Sequence, residues 1–188
     1  MPTADQQPRR LWQQIVDRYY EPGTELRQLL LKHSRQVADE ALAIAHRKGL
    51  RLDDGDIEDA AMVHDIGIFM TDAAGIHCHG PEHYLRHGVI GAALMRDAGD
   101  PEWLARVAER HTGAGITAAE ISAADLPLPV KDLVPETELE RLVCYADKFY
   151  SKSGDMQRKS LERVRASMAK HFPAALERFE GLHAEFGQ

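Results

Sequence analysis

An all-α fold, a compact single-domain helical bundle, is predicted by three features of this sequence. Apolar residues recur at helical spacing along nearly the whole chain, and alternating strand-like runs are nearly absent. Helix punctuation keeps the same rhythm, with Thr or Asp ahead of the periodic stretches and Gly or Pro behind them. The length of 188 residues fits one domain, and a hydrophobic content of 44% can build a core.

Element by element, a short first helix is expected near 9–20, ended by Glu21-Pro22-Gly23. Thr24 caps a long helix with Leu26, Leu30, His33, Val37, Ala41 and Ile44 on one face, and Gly49 ends it. Asp53 or Asp54 starts the next, with Ile57, Ala60, Ala61, His64 and Ile68 on a common side. A loop over about 70–80 carries His77 and His79. Pro81 suits a helix first turn, and His83, His87, Ile90 and Leu94 line up behind it. Asp100-Pro101-Glu102 opens a helix running through Leu104, Val107 and His111 to Thr112-Gly113-Ala114-Gly115. Thr117–Glu120 and Thr137–Glu140 both read as capping boxes, separated by a Pro- and Leu-rich ordered loop over 125–135. The second box starts a helix that turns Leu139, Val143, Ala146 and Asp147 to one side. Two amphipathic helices follow near 156–170 and 174–186, giving about eight in all. Leu176, Phe179, Leu182 and Phe186 share a face that completes the core or meets a second copy, the core being preferred.

Composition removes several functions. A net charge of −7 disfavours extended binding to nucleic acid, while a small phosphorylated ligand stays possible because bound metal supplies positive charge locally. Cys78 and Cys144 lie too far apart in the chain for a zinc knuckle and form no disulfide framework. The polar opening Met1–Gln7 lacks the apolar stretch of a signal peptide, and no run approaches a membrane span, so a cytoplasmic protein is expected.

Ten histidines are more than a chain of this size needs. Five helices each set an ionisable residue among aliphatic neighbours: His33, His64 with Asp65, His87, His111 and Asp147. A single such histidine is commonly a core residue bonded to a carbonyl, but five helices doing the same favour metal binding. Imidazole with carboxylate suits Fe, Mn, Zn, Co or Ni better than calcium. Adjacent His64 and Asp65 stand about 100° apart around a helix, so both reach one cavity only at a helix end, where Gly67 loosens the chain.

These residues also carry a resemblance. Ala61-Met62-Val63-His64-Asp65-Ile66-Gly67 resembles the signature of the HD-domain phosphohydrolase superfamily, with His33 upstream and Asp147 downstream in the expected order. Arg86–Ala92, Glu109–Thr117, Val134–Thr137 and Tyr145–Lys148 resemble a bacterial and archaeal subgroup of small HDIG proteins. The likeness covers roughly 24–155, on which helices of 156–188 would pack to complete one domain, 1–188. It implies that His33, His64, Asp65 and Asp147 hold one metal, and that His87 and His111 hold a second with Asp65 bridging. One departure is Ile68, where many members carry Lys or Arg that touches phosphate; Lys148 is the candidate replacement.

The resemblance implies a metal-dependent phosphohydrolase with two divalent transition ions. It would cleave a phosphoester or phosphoanhydride bond of a small molecule, foremost a nucleotide, with a metal-activated water. Asp65 positions the bridge, His83 or else His79 is the candidate proton donor, and Lys148 and His79 are candidate substrate contacts; His77 could touch substrate or solvent. His46, His171 and His183 are expected at the surface. The same ligand set also resembles that of HD-type di-iron oxygenases that cleave C–C or C–P bonds, and a non-catalytic ligand-binding module is the third reading. The expected partner is a small phosphorylated substrate, with no membrane and a monomer or homodimer.

Overall fold

The computed structural model describes residues 10–171 and 173–187, built into nine α-helices, short 3₁₀ turns and one small sheet. Readings that fall on residues 1–9 or on the side chain of His171 lie outside the described residues. The helices are α1 (Leu11–Tyr19), α2 (Glu25–Lys48), α3 (Asp54–Val63), α4 (His87–Asp97) and α5 (Glu102–Arg110). They continue with α6 (Ala118–Ala123), α7 (Glu138–Asp147), α8 (Leu161–His171) and α9 (Leu176–Phe186). Among the described residues no helix is long and apolar enough to cross a membrane.

The ends lie where the punctuation puts them. Thr24 accepts from Arg27 N, and Gly49 closes α2 at φ 65°, a conformation natural to glycine. Asp53 accepts from the amides of Gly55 and Asp56, and Thr117 and Thr137 both complete capping boxes. Helix α2 packs on α3 and α7, α4 lies along α5, and α7 is covered by α9. Phe179, Leu182 and Phe186 are buried in the main core together with Tyr145. Full burial of each phenylalanine contributes about 2–3 kcal/mol, so α9 completes the apolar interior.

Three readings need correction. The expected helix at Pro81 does not form, because Glu82–His83 (β3) pairs in parallel with Thr71–Ala73 (β1), which also pairs antiparallel with Cys78–His79 (β2). Helix α4 therefore begins only at His87, and His83 is not on its face. Helix α3 stops at Val63, so His64 caps it and Ile68 starts a separate 3₁₀ turn. The helix expected from 156 begins at Leu161, since Met156 sits at φ 54°, which no helix accepts.

Close backbone approach explains the glycine after Asp65-Ile66. A Cβ on Gly67 would lie 2.3 Å from the His87 carbonyl oxygen and 2.5 Å from Gly91 N. The turn and the first turns of α4 thus touch backbone to backbone. Gly67→Ala is expected to lower stability by about 1–3 kcal/mol in denaturant unfolding, by forcing these segments apart. Wild-type stability in that variant would contradict the packing.

Candidate metal centre

Five segments converge on one buried point. His33 comes from the middle of α2, His64 and Asp65 follow the last turn of α3, and His87 opens α4. His111 follows α5, and Asp147 is the last residue of α7. All six are buried, none more than 8% exposed.

Helix ends fix how three imidazoles are held. A helix leaves its last carbonyls without intrahelical donors. His64 Nδ1 donates to Ala61 O at 2.6 Å and His111 Nδ1 to Ala108 O at 2.7 Å. His87 Nδ1 likewise donates to Tyr84 O of the preceding 3₁₀ turn at 2.7 Å. A carbonyl only accepts, so each Nδ1 carries the proton and, in the neutral ring, each Nε2 offers a lone pair to the centre.

The Nε2 atoms of these three rings and of His33, which also bonds Asp147, surround Asp65. Its Oδ2 lies 3.2 Å from Nε2 of both His33 and His64, while its Oδ1 lies 3.4 Å from His87 Nε2 and 3.3 Å from His111 Nε2. Asp147 Oδ1 stands 3.0 Å from His33 Nε2 and 3.4 Å from His64 Nε2. One carboxylate therefore faces four histidines, two from each oxygen, while Asp147 lies nearest His33 and His64; the two halves meet where the His64 and His111 rings stand 4.8 Å apart.

Charge and unmet polarity both call for cations here. His64 Nε2, His33 Nδ1 and Asp65 Oδ1 are buried without an aligned hydrogen-bond partner, while Asp65 Oδ2 has the Lys152 ammonium at 2.6 Å. The Nε2 atoms of His87 and His111 are 3.0 Å apart, a repulsive approach for two lone pairs. Two nitrogens each about 2.1 Å from one ion, at right angles, would be about 3.0 Å apart. Sets of three donor residues close enough for one ion are His33, His64 and Asp65; His64, His111 and Asp147; and Asp65, His87 and His111. Imidazole nitrogens with carboxylate oxygens form a donor set suited to a divalent transition ion.

Protonation follows the same field. Burial raises the Asp65 and Asp147 carboxyls, but positive neighbours, His64 and Lys152 for the first and Lys148 for the second, keep both well below the usual range. Burial lowers His64, yet Asp65 and Asp147 outweigh it and lift the imidazole to about 9. His87 is pushed down to about 3, chiefly by burial.

Two cavities open beside this cluster. One, of about 450 Å³, is lined by Asp147, Lys148, Lys152, Lys159 and Tyr84, with Ser167 and Met168 of α8 across from them. The other, of about 670 Å³, is lined by His87, His83, Tyr84 and apolar side chains, with Ala175 and Arg178 from the C-terminal segment. Residues past 156 thus wall both cavities.

Lys148, the candidate substrate contact of the sequence, borders the cluster. Its Nζ is 2.8 Å from Asp147 Oδ2 and donates to His111 O at 2.9 Å. Lys152, absent from the sequence reading, is closer still to the centre, with Nζ 2.6 Å from Asp65 Oδ2. Burial opposes its charge, but Asp65 holds the ammonium well above its ordinary range. Tyr84 was also missed; its ring stacks on His87 at 4.7 Å and has Lys152 Nζ 5.9 Å from its centroid. Burial pushes Lys159 down. Ile68 is fully buried and could not present a charge.

The remaining histidines are further out. His83 is exposed and accepts from Leu85 N through Nδ1. His79 is exposed on β2 opposite Asp72, and His77 is exposed with Nδ1 3.5 Å from Glu25. His46 pairs with Asp54 at the surface, whereas His183 is half-buried against Tyr145. Both cysteines are free and buried.

An uncharacterized protein of Methanocaldococcus jannaschii is 37% identical over 121 residues, 63% of this chain and 64% of that protein. A tRNA (cytidine(56)-2'-O)-methyltransferase of Thermoplasma volcanium is 33% identical over 171 residues, 91% of this chain but 45% of the methyltransferase. The enzyme of the same name from Picrophilus torridus is 37% identical over 125 residues, 66% of this chain and 32% of its own length. The chain thus spans less than two thirds of the curated relatives it matches. No solved structure matches it. The model of the HD domain matches residues 30–151, which contain every residue of the cluster around Asp65, and the chain belongs to the HD-domain family.

Proposed function

We propose that the chain is a metal-dependent hydrolase of phosphoester or phosphoanhydride bonds in a small molecule, using two divalent transition ions on either side of Asp65. The observation that carries this reading is the division of the Asp65 carboxylate, with Oδ2 toward His33 and His64 and Oδ1 toward His87 and His111, beside a lysine-lined cavity. HD domains bind divalent metals, and the His/Asp clusters provide the donors. His33, His64, Asp65 and Asp147 would hold one ion, and Asp65, His87 and His111 the other. Bound ions of this kind lower the pKa of water to near neutrality and neutralise phosphate oxygens.

The chain's own residues supply the rest. Lys148 and Lys152 attract and orient the phosphoryl group in the first cavity, where partial burial strengthens each charged contact. Lys152 takes the part that a basic residue after Gly67 plays in other members. His83, on the wall of the second cavity, is in the right region to give the leaving oxygen a proton. His79 stays a candidate substrate contact only if β2 moves, since it lines neither cavity. The helices past 156 belong to the same domain in this reading, because they wall the site.

The methyl transfer named for two relatives belongs to proteins of which more than half lies outside the match, and we do not extend it to this chain. Its net charge of −7 also weighs against a long nucleic-acid contact.

Substrate screening with the metal-loaded protein tests this reading. Lys152→Ala is expected to raise KM for a hydrolysed phosphoester about tenfold or more while two ions stay bound. An unchanged KM would remove Lys152 from phosphate binding. Hydrolysis of no phosphoester, combined with a mixed-valence iron signal that responds to dioxygen, would overturn the hydrolase reading.

The two ions should also differ in pH response. His64, raised to about 9, carries a proton at neutral pH that must leave before Nε2 can bind metal. Affinity at the His33/His64 site should therefore fall by up to about tenfold for each pH unit below 9. His87, at about 3, is already neutral, so its site loses affinity much less between pH 9 and 6. Competition with a chelating dye across that range should resolve a steep and a shallow component. Two equal slopes would contradict the assignment.

A further inference from the structure

The two cavities beside the metal centre differ in chemistry, and that difference selects a substrate. The first is lined by Lys148, Lys152 and Lys159, the first two set against the Asp147 and Asp65 carboxylates. The second presents Leu85, Ile116, Leu126, Ala123 and Ala124, with Ala174 and Ala175 opposite. Both reach the same centre, since Asp147 lines the first, His87 lines the second and Tyr84 lines both.

The two charged groups of the second cavity, Arg178 and Glu120, are committed to each other and to the backbone around them. Arg178 Nη2 donates to Glu120 at 2.9 Å and to Gly115 O at 2.8 Å, while its Nε donates to Ala114 O at 3.3 Å. Glu120 also accepts from Thr117 N at 2.7 Å and Thr117 Oγ1 at 2.9 Å. His83 Nδ1 is taken by Leu85 N. A ribose or a nucleobase placed there would bury several hydroxyl, amine or ring-nitrogen groups against a mainly aliphatic lining in which Thr112 and His83 Nε2 are the side-chain groups left to pair with them, which is costly. An alkyl or aryl group would lose only water.

We infer that the substrate is a phosphoester with an uncharged, largely apolar organic group: the phosphoryl end lies among the lysines, and the alkyl or aryl end lies in the cavity beyond His87. This rests on the phosphohydrolase reading and narrows it away from nucleotides. The volume of about 670 Å³ falls in the range of sites that enclose small organic ligands.

Calorimetry with Mn²⁺-loaded protein tests the assignment without turnover. The probes are methylphosphonate, phenylphosphonate, hexylphosphonate and adenosine monophosphate. The phenyl and hexyl compounds should bind at least about tenfold more tightly than methylphosphonate, and more tightly than the nucleotide. Ala124→Trp and Ala174→Trp place a ring over the cavity from two exposed positions, so neither disturbs the core. In each variant the preference for phenyl or hexyl over methyl should fall to near one. Equal affinities along the phosphonate series, or tightest binding of the nucleotide, would overturn the apolar assignment and leave the phosphohydrolase reading standing. Binding of none of the four, by protein that holds both ions, would overturn the two together.

Discussion

Asp65→Asn is expected to remove both metal ions and reduce hydrolysis at least about a thousandfold, while leaving the helical content unchanged. The amide matches the carboxylate in shape, so the packing of a fully buried side chain is preserved. What changes is charge, and with it both faces of the group. Oδ1 loses its attraction for an ion held by His87 and His111, and Oδ2 for one held by His33 and His64. Any NH₂ of the new residue would point at one of the Nε2 lone pairs and compete with metal directly. Metal content and circular dichroism, measured on the same preparation, check the result. Retention of both ions with full helicity would refute the bridging position.

His87→Ala is expected to remove one ion and spare the other, with a loss of about a hundredfold or more in rate. The asymmetry comes from geometry. His87 Nε2 faces Asp65 Oδ1 and His111, and it makes no close approach to Asp147. His33, His64 and Asp147 keep their positions on α2, after α3 and on α7. Loss of the imidazole also empties one side of the Tyr84 ring, so a modest loss of stability should accompany the metal loss. Stoichiometry falling from two ions to one is the expected reading. A fall to zero would make the centre a single cooperative unit, contrary to the division described above.

The metal cluster was legible in the chain because each of its members lies on or beside a helix with strong periodicity. Burial of one histidine means little, but His33, His64, His87, His111 and Asp147 repeat the pattern on separate elements, and the structure brings the four histidines onto Asp65 and Asp147 onto His33 and His64. Lys152 gave no such signal. It sits in Tyr150-Ser151-Lys152-Ser153, a polar stretch that reads as solvent-exposed loop, and only the tertiary fold lays it on Asp65. Strands β1 to β3 were invisible for another reason: two or three residues cannot display an alternation. Pro81 pointed to a helix because its ring fits a first turn, yet the ladder between β1 and β3 captured the next two residues instead. His83 followed that error and was put on the face of His87, whereas it stands exposed on the cavity wall.

The most direct test of the central claim is anomalous X-ray diffraction from crystals of the Mn²⁺-loaded protein. The account predicts two anomalous peaks, one bounded by His33, His64, Asp147 and Asp65 Oδ2, the other by His87, His111 and Asp65 Oδ1. A single peak, or peaks that leave the Asp65 carboxylate uncoordinated, would contradict it.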